Sequence, residues 1–262
     1  MLNLLPSNVI APRPGRLQGR RVLVVEGRRD AALAAAATEA TMSLLFAREG
    51  ARIAIAGPDG QVAMEIVDRI QSDGGDACAI AADLAFEADI GWIVREACRA
   101  FGGGLDGLVL NAAGGGNLEH QFDAREWSRV FDLNLGGLML CCREALAHFS
   151  EGGSIVFTTA LNPAGTGRMV CDPVGAAIAA LMQNIADEVA SRTIRANLVF
   201  CDPRCAPPSL GRDGDARFDQ VRRALAGRTA AAAMANAALF FLSYESAGIS
   251  AQTLSVMCGH DG

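Results

Sequence analysis

The chain has 262 residues, 51% of them hydrophobic and 20% charged, with a formal net charge of −6. That size and balance suit one compact α/β domain with a sizeable core, and the acidic balance without any basic run argues against a nucleic-acid partner. No apolar run reaches the ~18 residues of a membrane span, and the start MLNLLPSNVIAPRPG lacks the basic head and apolar core of a secretory signal; a cytoplasmic protein is expected.

Short apolar runs alternate with longer amphipathic ones. Residues before about Leu17 read as an N-terminal arm, 1–16, leaving 17–262 as the single domain. A strand is predicted from Arg21 to Val25, then an Ala-rich helix ending near Gly50, a strand over 51–57 and a helix over 61–75. A strand over 76–84, a helix over 88–104 and a strand and loop over 105–116 follow. One long helix is predicted over 125–153, a strand over 154–160, a helix beginning at Cys171, and a strand over 193–203. A Pro-rich loop, a helix over 229–245 and a strand over 252–257 finish the chain. Near-continuous apolar strands alternating with helices predict a mostly parallel, doubly wound seven-stranded sheet covered by helices on both faces. The eight cysteines form no C-x-x-C pair and gather no histidines, so reduced thiols and no metal site are expected.

One compositional fact outweighs the others. All 23 basic residues are arginine; the chain contains no lysine, and its one tyrosine is Tyr244.

The order LQGRRVLVV, AADL, LVLNAAG, WSRVFDLNLGG, GGSIVF, IRANLV and the closing LSVMCG resembles the short-chain dehydrogenase/reductase family from about Leu17 to Gly259. The resemblance implies a Rossmann-like fold and an NAD- or NADP-dependent oxidoreductase ancestry. It implies that Asp83 faces an adenine, that Asn111, Ala112 and Gly114 form the turn after the fourth strand, and that Asn134 organises a proton relay. The family's cofactor turn is rich in glycines, which let the backbone approach the pyrophosphate. Here it reads EGRRDAALAAAATEAT: Gly27 remains, Glu26 adds negative charge, and Arg28 and Arg29 are either phosphate grips or a solvated pair. The acidic residue expected at the end of the second strand is replaced by Gly57, with Asp59 two residues later.

The family's catalytic tyrosine, its lysine four residues on and its serine fall on Cys171, Gly175 and Ala160 or Thr159. Without a lysine the pair exists in no register. A non-catalytic subunit is therefore expected, one that binds neither NAD nor NADP itself and pairs with an active paralogue holding the cofactor, in a hetero-oligomer such as a tetramer. The resemblance extends to heteromeric family members that join an intact and a degenerate subunit, among them acyl-CoA dehydrogenases of anaerobic toluene degradation and some antibiotic-pathway oxidoreductases. The contact is expected through the helices around 124–150 and 171–191; Val130, Leu133, Leu138, Cys141, Cys142, Leu146 and Phe149 are available for two apolar faces, one of which must be core, and the second stays open. Two alternatives stay open: an unconventional oxidoreductase using Cys171, and a stand-alone protein that binds a small ligand in the vacated cleft.

Overall fold

The computed structural model describes residues 15–27, 33–112, 124–159, 171–201 and 230–256. The arm, both arginines of the first turn, Gly114, Ala160 and the Pro-rich loop lie outside the described residues.

Seven strands form one parallel sheet in the order β3-β2-β1-β4-β5-β6-β7. They are β1 (Arg21–Glu26), β2 (Arg52–Gly57), β3 (Asp76–Ala81), β4 (Leu105–Ala112), β5 (Phe149–Thr159), β6 (Arg195–Cys201) and β7 (Thr253–Val256). Side chains alternate across the sheet. Leu23, Val25, Leu108, Leu110, Ile155 and Phe157 enter one core with α3 (Glu87–Phe101), α5 (Leu138–Leu146) and α6 (Cys171–Val189). Val22, Val24, Ile53, Ile55 and Val109 enter the other, with α1 (Leu33–Arg48), α2 (Gly60–Ser72) and α7 (Ala230–Leu242). Both faces are covered, which is why β1 runs Val-Leu-Val-Val without a polar break.

Local chemistry sets the element ends. Asp59 caps α2 by accepting from the amides of Gln61 and Val62. Gly102, at φ 66, ends α3 in the left-handed conformation that glycine adopts without strain. At the start of β1, Arg21 donates from Nε and a terminal nitrogen to the two carboxylate oxygens of Asp106, at 2.8 and 2.9 Å, tying β1 to β4.

Two elements differ from the sequence expectation. The long helix over 125–153 is instead α4 (Ala124–Phe131), a π-helical turn (Asp132–Gly137) and α5, and it ends at Leu146. Gly137 sits where a Cβ would lie 3.2 Å from the Leu84 carbonyl oxygen, so the absence of a side chain lets this stretch approach the loop after β3. β5 begins early, at Phe149, because Phe149 pairs with Leu105 across a register shift. The close packing at this corner makes a prediction: a Cβ on Gly104 would stand 2.2 Å from the backbone oxygen of His148, which accepts from the Leu105 amide. Gly104→Ala should therefore cost about 3 kcal/mol, read as a lowered urea midpoint.

Candidate functional site

The C-terminal ends of β1, β4 and β5 bring three buried polar side chains into one row. Glu26, Asn111 and Thr158 are register neighbours on adjacent strands. Asn111 Nδ2 donates to Glu26 Oε2 at 2.6 Å, and Thr158 Oγ1 donates to Asn111 Oδ1 at 3.0 Å. Glu26 and Asn111 are each 5% exposed, and Thr158 is fully buried. Gly27 is buried beside them, its amide donating to the Asn111 carbonyl at 3.3 Å, and Ala112 is buried as well. The Asn111 side chain is thus committed to crosslinking strands.

Glu26 also occupies the space beside β2. A Cβ added at Gly57 would meet Glu26 Cβ at 3.3 Å, so a side chain at the end of β2 would press on the root of the Glu26 side chain by a few tenths of an ångström. Glu39 of α1 is 5% exposed; its carboxyl is pushed up to about 8, first by burial and then by the negative charge of Glu26. Glu26 and Glu39 both fall in the stretch EGRRDAALAAAATEAT, which the resemblance matches to the family's cofactor turn. Asp83 accepts at Oδ1 from the Ala85 amide, while its own amide donates to Asp89; it stabilises the turn into α3.

Asn134 lies within the π-helical turn, 2% exposed, and its Nδ2 donates to the Val130 carbonyl at 3.0 Å. A π-helical turn displaces a carbonyl from the regular helical ladder, and Asn134 repairs that displacement from its own side chain. Cys171 is the first residue of α6, and Gly175, one turn on, is buried. Thr159 is buried at the end of β5. Tyr244 lies at the other end of the molecule. It is 73% exposed in a 3-10 turn after α7, and its ring covers the guanidinium of Arg20, 5.0 Å away, at the entrance to β1. No group of three or more metal-ligating side chains gathers among the described residues.

On the helices expected to carry a partner contact, core and outer faces separate. Val130, Leu133 and Leu138 are core, as are Cys141, Cys142, Ile178 and Met182. The partly or fully exposed apolar residues include Trp127, Phe131, Leu135 and Met139, spaced four apart; Phe131 and Leu135 also pack against the core. Trp127 and Phe131 stack at 4.6 Å. Beside the stripe, a groove of about 780 Å³ runs between α4–α5 and the start of α3; its floor is Leu84, Ile90, Leu133 and Leu140, with Gly136 open. Sequence reasoning missed this stripe and Glu39; the polar residue at position 39, one turn from Met42 and Ser43 on the buried side of α1, was the available signal.

A parallel sheet wound on both sides, with its polar row at the strand ends, defines a Rossmann-like α/β protein. The family model described as enoyl-(acyl carrier protein) reductase matches residues 37–261. A glucose and ribitol dehydrogenase of Daucus carota is 30% identical over 203 residues, 73% of this chain and 67% of the relative. A cis-4-hydroxycyclohexanecarboxylate dehydrogenase of Sinomonas cyclohexanicum is 29% identical over 242 residues, 89% of this chain and 93% of the relative. A Burkholderia cenocepacia short chain dehydrogenase, solved in complex with NADP, superposes with a TM-score of 0.73 at 27% identity, over 93% of this chain and 98% of that one. The chain belongs to the short-chain dehydrogenase/reductase family, whose members here are oxidoreductases. Among the described residues no helix is long and apolar enough to cross a membrane.

Proposed function

We propose that this chain is a non-catalytic member of its family, paired with an intact paralogue in an NAD- or NADP-dependent alcohol/ketone oxidoreductase whose cofactor sits in the partner. The observation that carries this reading is the position of Tyr244: the one phenol of the chain lies beyond the wrong end of the sheet, and no lysine exists to lower its pKa. The dinucleotide cradle does not fit its ligand either. Glu26 packs close beside Gly57, Glu39 adds a second buried carboxyl, and Asn111 is held by Glu26. Bringing a pyrophosphate next to the Glu26 carboxylate costs electrostatic energy. Purified alone, the protein should leave NADH and NADPH fluorescence unchanged at micromolar concentrations. Nicotinamide turnover by the isolated chain that Cys171→Ala abolishes would overturn the reading.

The partner contact falls on the Trp127–Met139 stripe and its groove, an apolar surface flanked by Arg125, Arg129, Glu87 and Asp132. Co-expression with an intact paralogue should yield one complex with cofactor on the partner alone, counted by native mass measurement. Recovery of separate homo-oligomers only would sink the proposal. Met139 is 42% exposed, so Met139→Glu should leave the melting temperature within about 2 °C while weakening the complex at least tenfold.

A further inference from the structure

The end of the molecule opposite the polar row holds two buried arginines that the partner contact does not use. Arg20, just before β1, and Arg195, the first residue of β6, are each 7% exposed. Both reach the short turn after α7. The Arg20 guanidinium lies 5.0 Å from the centre of the Tyr244 ring. Arg195 donates from one terminal nitrogen to Ser246 Oγ at 2.7 Å and from the other to the Ser243 carbonyl at 3.2 Å. The two guanidiniums thus share one turn, from Ser243 to Ser246.

A buried charge is ordinarily paired, because a carbonyl or hydroxyl dipole solvates it without cancelling it. Here the neighbouring carboxylates are committed elsewhere. Arg20 donates from a terminal nitrogen to the backbone carbonyl of Asp106 at 2.7 Å, and its Nε is buried with no hydrogen-bond partner. The Asp106 carboxylate is taken by Arg21, which reaches it through its amide, its Nε and a terminal nitrogen. Glu49 is taken by Arg16 at 2.9 Å, and the exposed Glu245 stands 4.0 Å from the same Arg16. Neither Arg20 nor Arg195 has a carboxylate within ion-pair distance among the described residues. Burial first, and then the positive charge of Arg20, pulls the Arg195 guanidinium down to about 10, the direction an uncompensated cation takes.

We propose that this turn covers a binding site for a small tetrahedral oxyanion, phosphate or sulfate, which binds at Arg20 while Arg195 adds positive potential from the same turn. The Nε–H and a terminal N–H of a guanidinium point in parallel and match two oxygens of an oxyanion; on Arg20 the Nε–H is unused. Tyr244 is 73% exposed, so its ring swings aside to admit the ligand without opening the core. The ligand then supplies the negative charge that the two arginines lack. The site lies at the starts of β1 and β6, away from α4 and α5, and stands whether or not the partner reading holds.

Titration of the full-length protein with sodium phosphate tests it, at an ionic strength held constant with NaCl. Tyr244 is the one tyrosine of the chain, so isotope-labelled tyrosine gives a single ring signal by NMR. That signal should move and saturate at millimolar phosphate or sulfate, and chloride should leave it in place. The melting temperature should rise by about 3 °C at about ten times the dissociation constant. Glycerol phosphate separates the two sources of the ligand: equal binding extends the site to phosphate monoesters, and binding of the free ions alone confines it to inorganic oxyanions, the site standing in both cases. Arg20→Met keeps an apolar stem under the ring and should weaken binding at least about tenfold, whereas the exposed Arg48→Gln should leave it unchanged. Tyr244→Ala removes the cover and should tighten binding at least about threefold; this arm decides the matter should Arg20→Met fail to fold, and unchanged or weaker binding in it overturns the site. A response that chloride reproduces, that does not saturate, or that survives Arg20→Met is an adventitious ion only and overturns it equally.

Discussion

Asn111→Ala should lower the stability of the protein by about 3 kcal/mol at pH 7, measured by urea denaturation. Asn111 is 5% exposed and holds the centre of a three-strand row, donating to Glu26 at 2.6 Å and accepting from Thr158 at 3.0 Å. Truncation removes a charge-assisted donor from a buried carboxyl and an acceptor from a buried hydroxyl, and each deserted group keeps its desolvation cost. Thr158→Val, which removes only the neutral bond, should cost about 1 kcal/mol. The double variant Glu26→Ala/Asn111→Ala separates the charge from the packing. It should be more stable than the sum of the single variants, because it removes the buried acid together with its donor. Additive losses would mean that the 2.6 Å bond carries no coupling.

The sheet was legible because β-strands covered on both faces need continuous apolar runs, and Val22–Val25, Ile53–Ala56 and Leu108–Leu110 supply them. The face of the 124–146 helix was not. A π-helical turn inserts an extra residue, which rotates everything beyond it, so a single helical period read through this stretch leaves open which of its apolar residues face outward. The turn depends on the tertiary approach of Gly137 to Leu84, and no local signal marks it. The missing catalytic amine was fully legible, since an absent residue type is absent in every register. The position of Tyr244 was not, because only the fold puts the 3-10 turn after α7 beside the entrance to β1. The buried acids were half legible. Glu26 stood out in the first turn by its charge, but the burial of Glu39 depends on how α1 packs on the sheet.

Stability should fall as pH rises from about 5 to about 8, against the usual expectation that a moderately acidic protein is most stable near neutrality. Glu39 in the folded chain keeps its proton up to about 8, whereas an ordinary glutamate releases it near 4.5. Between these values the folded state binds more protons than the unfolded state. The contribution of Glu39 is therefore full below pH 4.5, declines by at most about 1.4 kcal/mol per pH unit, and is gone above the folded value. Other shifted groups act outside this window. Glu49, lowered first by its hydrogen bond from Arg16, loses its contribution as pH falls through the acid range. Cys141, pushed up to about 12 by burial, loses its own only above an ordinary thiol's 9.0. Glu39→Gln should thus flatten the melting temperature between pH 5 and pH 8 and make the variant more stable than the wild type at pH 8.5. A wild-type melting curve that is flat across that interval would mean that Glu39 is ionised in the folded protein, with a counter-charge drawn from outside the described residues.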